Sequence, residues 1–378
     1  MYKRFLAVPF ALLLMSLSYT LMASETSSVD YAKFAEYTAN SDLEMDFSIV
    51  DQLLHAGVIN MGPSTRAYAK RAKPPTGTRL RQTVDGATEN EANRFFYESL
   101  KDDQEKILNL RKELEDIPNL TPLNQYSREA LLAYWLNLYN VTLINELAVV
   151  YPLNNLKPIL TGEESILDKK ILTIENAQLS LNDIHYRVLP ALYPENNLYI
   201  YGLHQGIKGS PNIRTRAFTA RKVNQALKEN AQEFINSNRG TQFNGGKGVL
   251  RVSSFYERNV QFFPDFNEDL KPHLLQFANK SIQELIQNAR RLKADINNWR
   301  INDLYGSTRR RDIGLVVNSG SGSRFVSGNA LSQAQQSQLM SLMRVRARNF
   351  GGGSVTVTDL DDEEEPEPTI ILNETDNN

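Results

Sequence analysis

The stretch SREALLAYWLNLYNVTLINELAVV, residues 127–150, limits the fold more than any other. Ser127 stands where a helix N-cap belongs, and Glu129 falls in the first turn, where a carboxylate meets the positive end of the helix dipole. Beyond that turn the segment is apolar almost all round, so as a helix it needs cover on every side. The spacing predicts a central buried helix with the remaining elements packed about it. Two amides, Asn137 and Asn140, lie three apart on one face of it. A buried amide left unpaired costs about 1–3 kcal/mol, so each must find partners. Either they tie the helix to neighbouring loops, the commoner use of buried polar groups, or they line a cleft.

Apolar residues three and four apart predict further helices in VDYAKFAEYTAN, in DFSIVDQLLHAGVI, and in a long amphipathic segment from NEANRFF to LEDI that Pro118 closes. TARKVNQALKENAQEFINS has Val223, Leu227, Ala231, Phe234 and Ile235 along one side, and DLKPHLLQFANKSIQELIQNARRL reads as helical to about Leu292. NDIHYRVLPAL reads as a short helix capped by Asn182. Short strands are expected in KILTIENAQLSL, as a pair around Glu175–Ala177, in LYIYGL and in GVLRVSSF. With helices dominant and strands gathered mid-chain, the expected class is α+β: a helix-rich single body with a small central, mainly antiparallel sheet.

The ends read differently. Lys3 and Arg4 precede an apolar run from Phe5 to Leu17, with small residues near Ala23, the layout of a secretory signal peptide. An uncleaved anchor is the alternative, but the run is short and interrupted by Pro9. Export follows as an expectation, to the periplasm if the cell has one and otherwise to the medium. The chain has no cysteine, so an exported fold must rely on its core, without disulfides. From Asp359 to Asn378 there are nine acidic residues and no basic one, which predicts a disordered acidic tail. Without that tail and the first two basic residues, 40 basic and 35 acidic residues remain, too even a balance for a nucleic-acid partner. The expected order is a signal at 1–23, an N-terminal helical part at 24–120 and the core at 121–305. A Gly/Ser/Arg-rich appendage at 306–358 and the tail at 359–378 complete it, with no transmembrane span after cleavage.

The chemistry is concentrated in NLYIYGLHQGIKGSPNIRTRAF, residues 197–218. The four histidines are widely spaced and predict no metal site. GIKGSP lacks the glycine spacing of a phosphate-binding loop. Its N–H groups suit either a bound oxyanion or, more commonly, a tight turn. Ser210 and His204 are near enough along the loop to form a nucleophile–base pair, but no nucleophile elbow surrounds the serine.

These stretches together resemble a bacterial and plant family, the domain of unknown function numbered 547. AYWLNLYNV matches its A-F-W-I-N-x-Y-N-A helix, keeping Trp135, Asn137, Tyr139 and Asn140. LSLNDIHY matches L-S-L-x-D-I-E-H, and LYIYGLHQGIKGSP aligns without a gap to R-I-H-F-A-L-x-C-G-S-x-S-C-P. Pro211, Arg214 and Phe218 follow its next pattern, RVSSF keeps the Val and Ser of a V-x-S-x-x-F strand end, and NWRIN resembles a closing D-W-S-L-N.

The resemblance also exposes losses. Ile200 stands where the family places histidine, Gln205 and Ser210 where it places cysteines, and His185–Tyr186 where it places Glu-His. If those groups react in the family, this chain has lost the set. Asn137, Asn140, Gln205, Gly206, Arg214 and Trp299 are the candidate pocket. The expected function is non-catalytic binding, without cofactor, of a small molecule, a peptide or an envelope protein. A serine-type hydrolase or acyl transferase using Ser210 and His204 is the alternative, and a structural part in envelope assembly is a third.

Overall fold

A computed structural model of the chain describes residues 29–66, 87–88, 91–100 and 103–303. The expected signal, the Gly/Ser/Arg-rich appendage, the acidic tail and nearly all of the basic loop at 69–90 lie outside them. The chain forms two units, Met1–Asp30 and Tyr31–Asn378, and the described residues fall almost wholly in the second.

In chain order the elements are α1 (Ser48–Gly57), β1 (Val58–Ile59), β2 (Arg94–Phe95), α2 (Gln104–Leu120), α3 (Arg128–Val150), α4 (Lys157–Thr161), β3 (Leu172–Ile174) and β4 (Ala177–Leu179). There follow α5 (Leu181–Asp183), α6 (Leu189–Leu192), α7 (Val223–Ile235), β5 (Thr241–Asn244), β6 (Val249–Ser253), α8 (Ser254–Arg258), α9 (Phe266–Phe277), α10 (Lys280–Gln287) and β7 (Arg291–Ile296). The class is α+β. Helices make the body, and the strands form small sheets ordered β1-β2, β3-β4 and β5-β6-β7, antiparallel except for the parallel pair β6-β7.

The core is built on α3, as its sequence demands. Ser127 caps it by accepting from the Ala130 N–H, and nearly every residue from Ala130 to Ala148 is buried. Trp135 is fully enclosed, with Phe34 meeting it edge-on at 5.3 Å between ring centres. Helix α2 lies along α3 and supplies Ile107, Leu110 and Leu114 to the contact. Pro118 does not close α2 but sits in its last turn. Its missing N–H would orphan the Leu114 carbonyl, and the buried Tyr134 hydroxyl donates to that oxygen at 3.1 Å instead.

Local signals mislead where tertiary burial overrides them. Residues 91–100 do not join the amphipathic helix, which begins only at Gln104. Phe95 is fully buried, its N–H donates to the Asn302 carbonyl, and β2 pairs with β1. LYIYGL is not a strand but a tight 3-10 turn, Leu198–Gly202, buried throughout. An alternating strand would send every second residue to the other face, and no solvated face exists there. VDYAKFAEYTAN yields only one 3-10 turn, Ala32–Ala35. The segment at 181–192 is capped by Ser180 rather than Asn182, in a reciprocal capping box with Asp183. The last expected helix breaks at Ala278 into α9 and α10, the second capped by Asn279, and its end becomes β7. The pair around Glu175 forms as expected. Glu175 and Asn176 both take positive φ, which twists the two-residue turn to suit its strands.

Candidate functional site

The loop 202–218 is held from two sides. From α3, Asn140 donates to the Gly202 carbonyl at 2.8 Å and accepts from the His204 N–H at 2.9 Å. One turn earlier, Asn137 clasps a single residue, donating to the Phe218 carbonyl at 2.8 Å and accepting from its N–H at 3.0 Å. Both amides thus have their donor and acceptor engaged by the backbone of the loop.

From the other side comes the closing segment 298–303. Lys208 N–H donates to the Arg300 carbonyl, Gly209 N–H to the Asn298 carbonyl, and Asn302 N–H to the Gly206 carbonyl, each at 2.9 Å. Ser210 N–H turns back to the Ile207 carbonyl. The N–H groups of Lys208, Gly209 and Ser210 are therefore engaged within the fold, and they do not form the oxyanion cradle that the glycine-rich sequence allowed. Two glycines make the close approach workable. Gly206 has φ +70°, and a Cβ there would fall 2.1 Å from Leu147 Cδ1; one on Gly209 would meet the Asn298 backbone at 2.7 Å.

Ser210 and His204 are both inside this packing, at 0% and 1% exposure, too buried to meet a substrate as they stand. The Ser210 hydroxyl donates to the Ile207 carbonyl at 2.9 Å. Its carbonyl accepts from Arg239 Nη1 at 2.6 Å, and the fully buried Arg239 is itself paired with Glu233. His204 Nε2 lies 3.2 Å from the Asn302 amide nitrogen, and Nδ1 lies 3.5 Å from the Pro211 carbonyl. An amide N–H donor at Nε2 and a carbonyl at Nδ1 fix the neutral Nδ1–H tautomer. Burial holds the ring's pKa down to about 4, with the Pro211 carbonyl contact opposing that shift only in part.

A second cluster gathers around Arg258, at the end of α8. Its Nη2 donates to the Gln205 side-chain oxygen at 2.7 Å and its Nη1 to Ser254 Oγ at 2.9 Å. The guanidinium lies over the Trp299 ring at 4.6 Å. The Tyr186 hydroxyl donates to the Arg258 carbonyl at 3.1 Å. Tyr186 stacks on His185 at 3.9 Å, and His185 Nε2 bonds the Asn259 amide oxygen at 2.8 Å. Burial lowers the Arg258 pKa to about 10, and no carboxylate among the described residues forms an ion pair with it.

Of the pocket candidates, Gln205 and Trp299 therefore meet at Arg258, while Asn137, Asn140 and Gly206 position the loop leading there. Arg214 turns to α7, donating to the Ala226 carbonyl at 3.0 Å and to Glu229 at 3.2 Å. Among the described residues no group of three histidines or carboxylates is placed to hold a metal ion.

The family model described as "Protein of unknown function, DUF547" matches residues 123–235. That stretch is a DUF547 domain. It contains α3, the loop 202–218 and α7, and it stops short of Arg258 and the closing segment. No curated protein and no solved structure matches the chain. The three departures Gln205, His185 and Tyr186 all lie in the DUF547 stretch, and the fold brings all three to Arg258 and Asn259. Ile200 and Ser210 are packed elsewhere, in the buried turn and the clamped loop. Arg258 itself gives no signal in the sequence: it is one of 42 basic residues and belongs to no motif. Only the RVSSF strand end, which closes three residues upstream at Phe255, points toward its position.

Proposed function

We propose that this chain is an exported, non-catalytic binding protein built on a DUF547 domain, with its recognition site where family-pattern residues have been replaced. The observation that carries the reading is the spending of the would-be reactive atoms. Ser210 Oγ donates to the Ile207 carbonyl, and the His204 ring is turned to Asn302 and Pro211, so neither addresses the other. A nucleophile needs its base within hydrogen-bond reach and oriented by a third group, and that arrangement is absent from the loop. Export rests on the basic and then apolar N-terminal sequence. Among the described residues no helix is long and apolar enough to cross a membrane.

Treating the folded full chain with a fluorophosphonate probe tests the reading. Ser210 should remain unlabelled, as judged by mass spectrometry of the digested protein. Stoichiometric labelling of Ser210 would overturn the reading in favour of a serine-type hydrolase or acyl transferase.

A further inference from the structure

Arg258 is only partly enclosed, and so are Trp299, Tyr186, Ser254 and Phe262, whereas Gln205 beneath them is buried. The cluster is therefore a floor of polar atoms with an open side. Its charge is unbalanced. Withdrawing a guanidinium from water is costly unless a counter-charge or good hydrogen bonds replace the solvent. Here the replacements are neutral: the Gln205 oxygen, the Ser254 hydroxyl and the Trp299 face. A guanidinium has more N–H donors than these two bonds use, and its planar fork matches two oxygens of an anion. Beside it, Tyr186 and Phe262 stack at 6.4 Å between ring centres. Phe262 also lines an open groove with Phe263, Pro264 and His273, which Glu268 and Asp269 line too, so a carboxylate is favoured only at the Arg258 end.

We propose that Arg258, lying over Trp299 and flanked by Tyr186, anchors a small carboxylate ligand that carries a flat apolar body. The carboxylate accepts from the free edge of the guanidinium, and the apolar body lies against Tyr186 and Phe262. A single cation suits a single negative charge, which favours a carboxylate over a phosphate dianion. The proposal rests on the binding reading above and names the chemistry of its site.

Isothermal titration calorimetry on the purified full chain with benzoate, benzamide and inorganic phosphate tests it. Benzoate should bind at least about tenfold more tightly than benzamide, which has the same shape without the charge, and more tightly than phosphate. Arg258→Gln should weaken benzoate binding by about tenfold or more, and Arg258→Lys by less, since it keeps the charge but loses the fork. Equal affinity for benzoate and benzamide, tighter binding of phosphate, or no benzoate binding by the folded wild-type chain overturns the proposal. The first comparison needs no variant, so a failure of Arg258→Gln to fold leaves it decisive. Loss of this proposal would leave Ser210 unlabelled as before, whereas labelled Ser210 with intact benzoate binding would overturn only the non-catalytic reading.

Discussion

A single amide in this fold does the work of a short piece of secondary structure. Asn140 offers the loop a donor and an acceptor at the spacing of a backbone pair, and it takes up the Gly202 carbonyl and the His204 N–H together. Asn137 does the same with the two polar groups of Phe218. This is why a helix that is otherwise apolar on all sides carries amides at its middle: an irregular loop packed on a helix has no ladder of its own to satisfy its backbone. Asn140→Ala leaves both loop groups buried and unpaired, and each such group costs about 1–3 kcal/mol. Stability measured by chemical denaturation should fall by about 2–6 kcal/mol on that basis. A loss below about 0.5 kcal/mol, the size of an ordinary surface change, would show that the amide is not the clamp described.

At the scale of elements, the decisive contact is the one between loop 206–209 and the segment 298–302. It depends on glycine at a place where both backbone angle and space are restricted. Gly206→Ala combines positive φ with a collision against Leu147, while Gly62→Ala has φ +74° but open space around it. Backbone strain alone costs about 1 kcal/mol, and a clash in a packed core adds about 1–3 kcal/mol more. Thermal unfolding of the two variants should therefore show a clearly larger loss at Gly206; equal losses would mean that the loop can move away from α3. The buried central helix, its Ser127 cap, the β3-β4 pair and α7 were legible because each is coded by adjacent residues in a period or a cap. LYIYGL and NRFFYESL were misread because their conformations are set by distant partners: Asn140 holds the end of the first, and Asn302 pairs with the second. No local period records such contacts.

For the whole molecule, the resemblance foretold which positions depart from the family pattern, but not that His185, Tyr186 and Gln205 would meet. Their convergence needs Arg258, which approaches from a later helix, and Trp299, which approaches from the closing segment. The same enclosure that places them also keeps the buried His185 and His204 neutral, and the half-buried His273 with them. Burial lowers His185 to about 3, His204 to about 4 and His273 to about 4. Their folded-state pKa values lie below the ordinary 6.5, so between those limits the unfolded chain binds protons that the folded chain refuses. Their contribution to stability is complete above about pH 6.5 and is lost as the pH falls toward 4 for His204 and His273 and toward 3 for His185. His204 is the most informative of them, because it is the base that a Ser210 nucleophile would require. Its imidazole nitrogen shifts, followed by NMR through an acid titration of the folded chain, are the direct test. The result predicted is a neutral ring protonated at Nδ1, accepting at Nε2, and unprotonated further until about pH 4. A ring that titrates near 6.5, or a nitrogen hydrogen-bonded to the Ser210 hydroxyl, would contradict it.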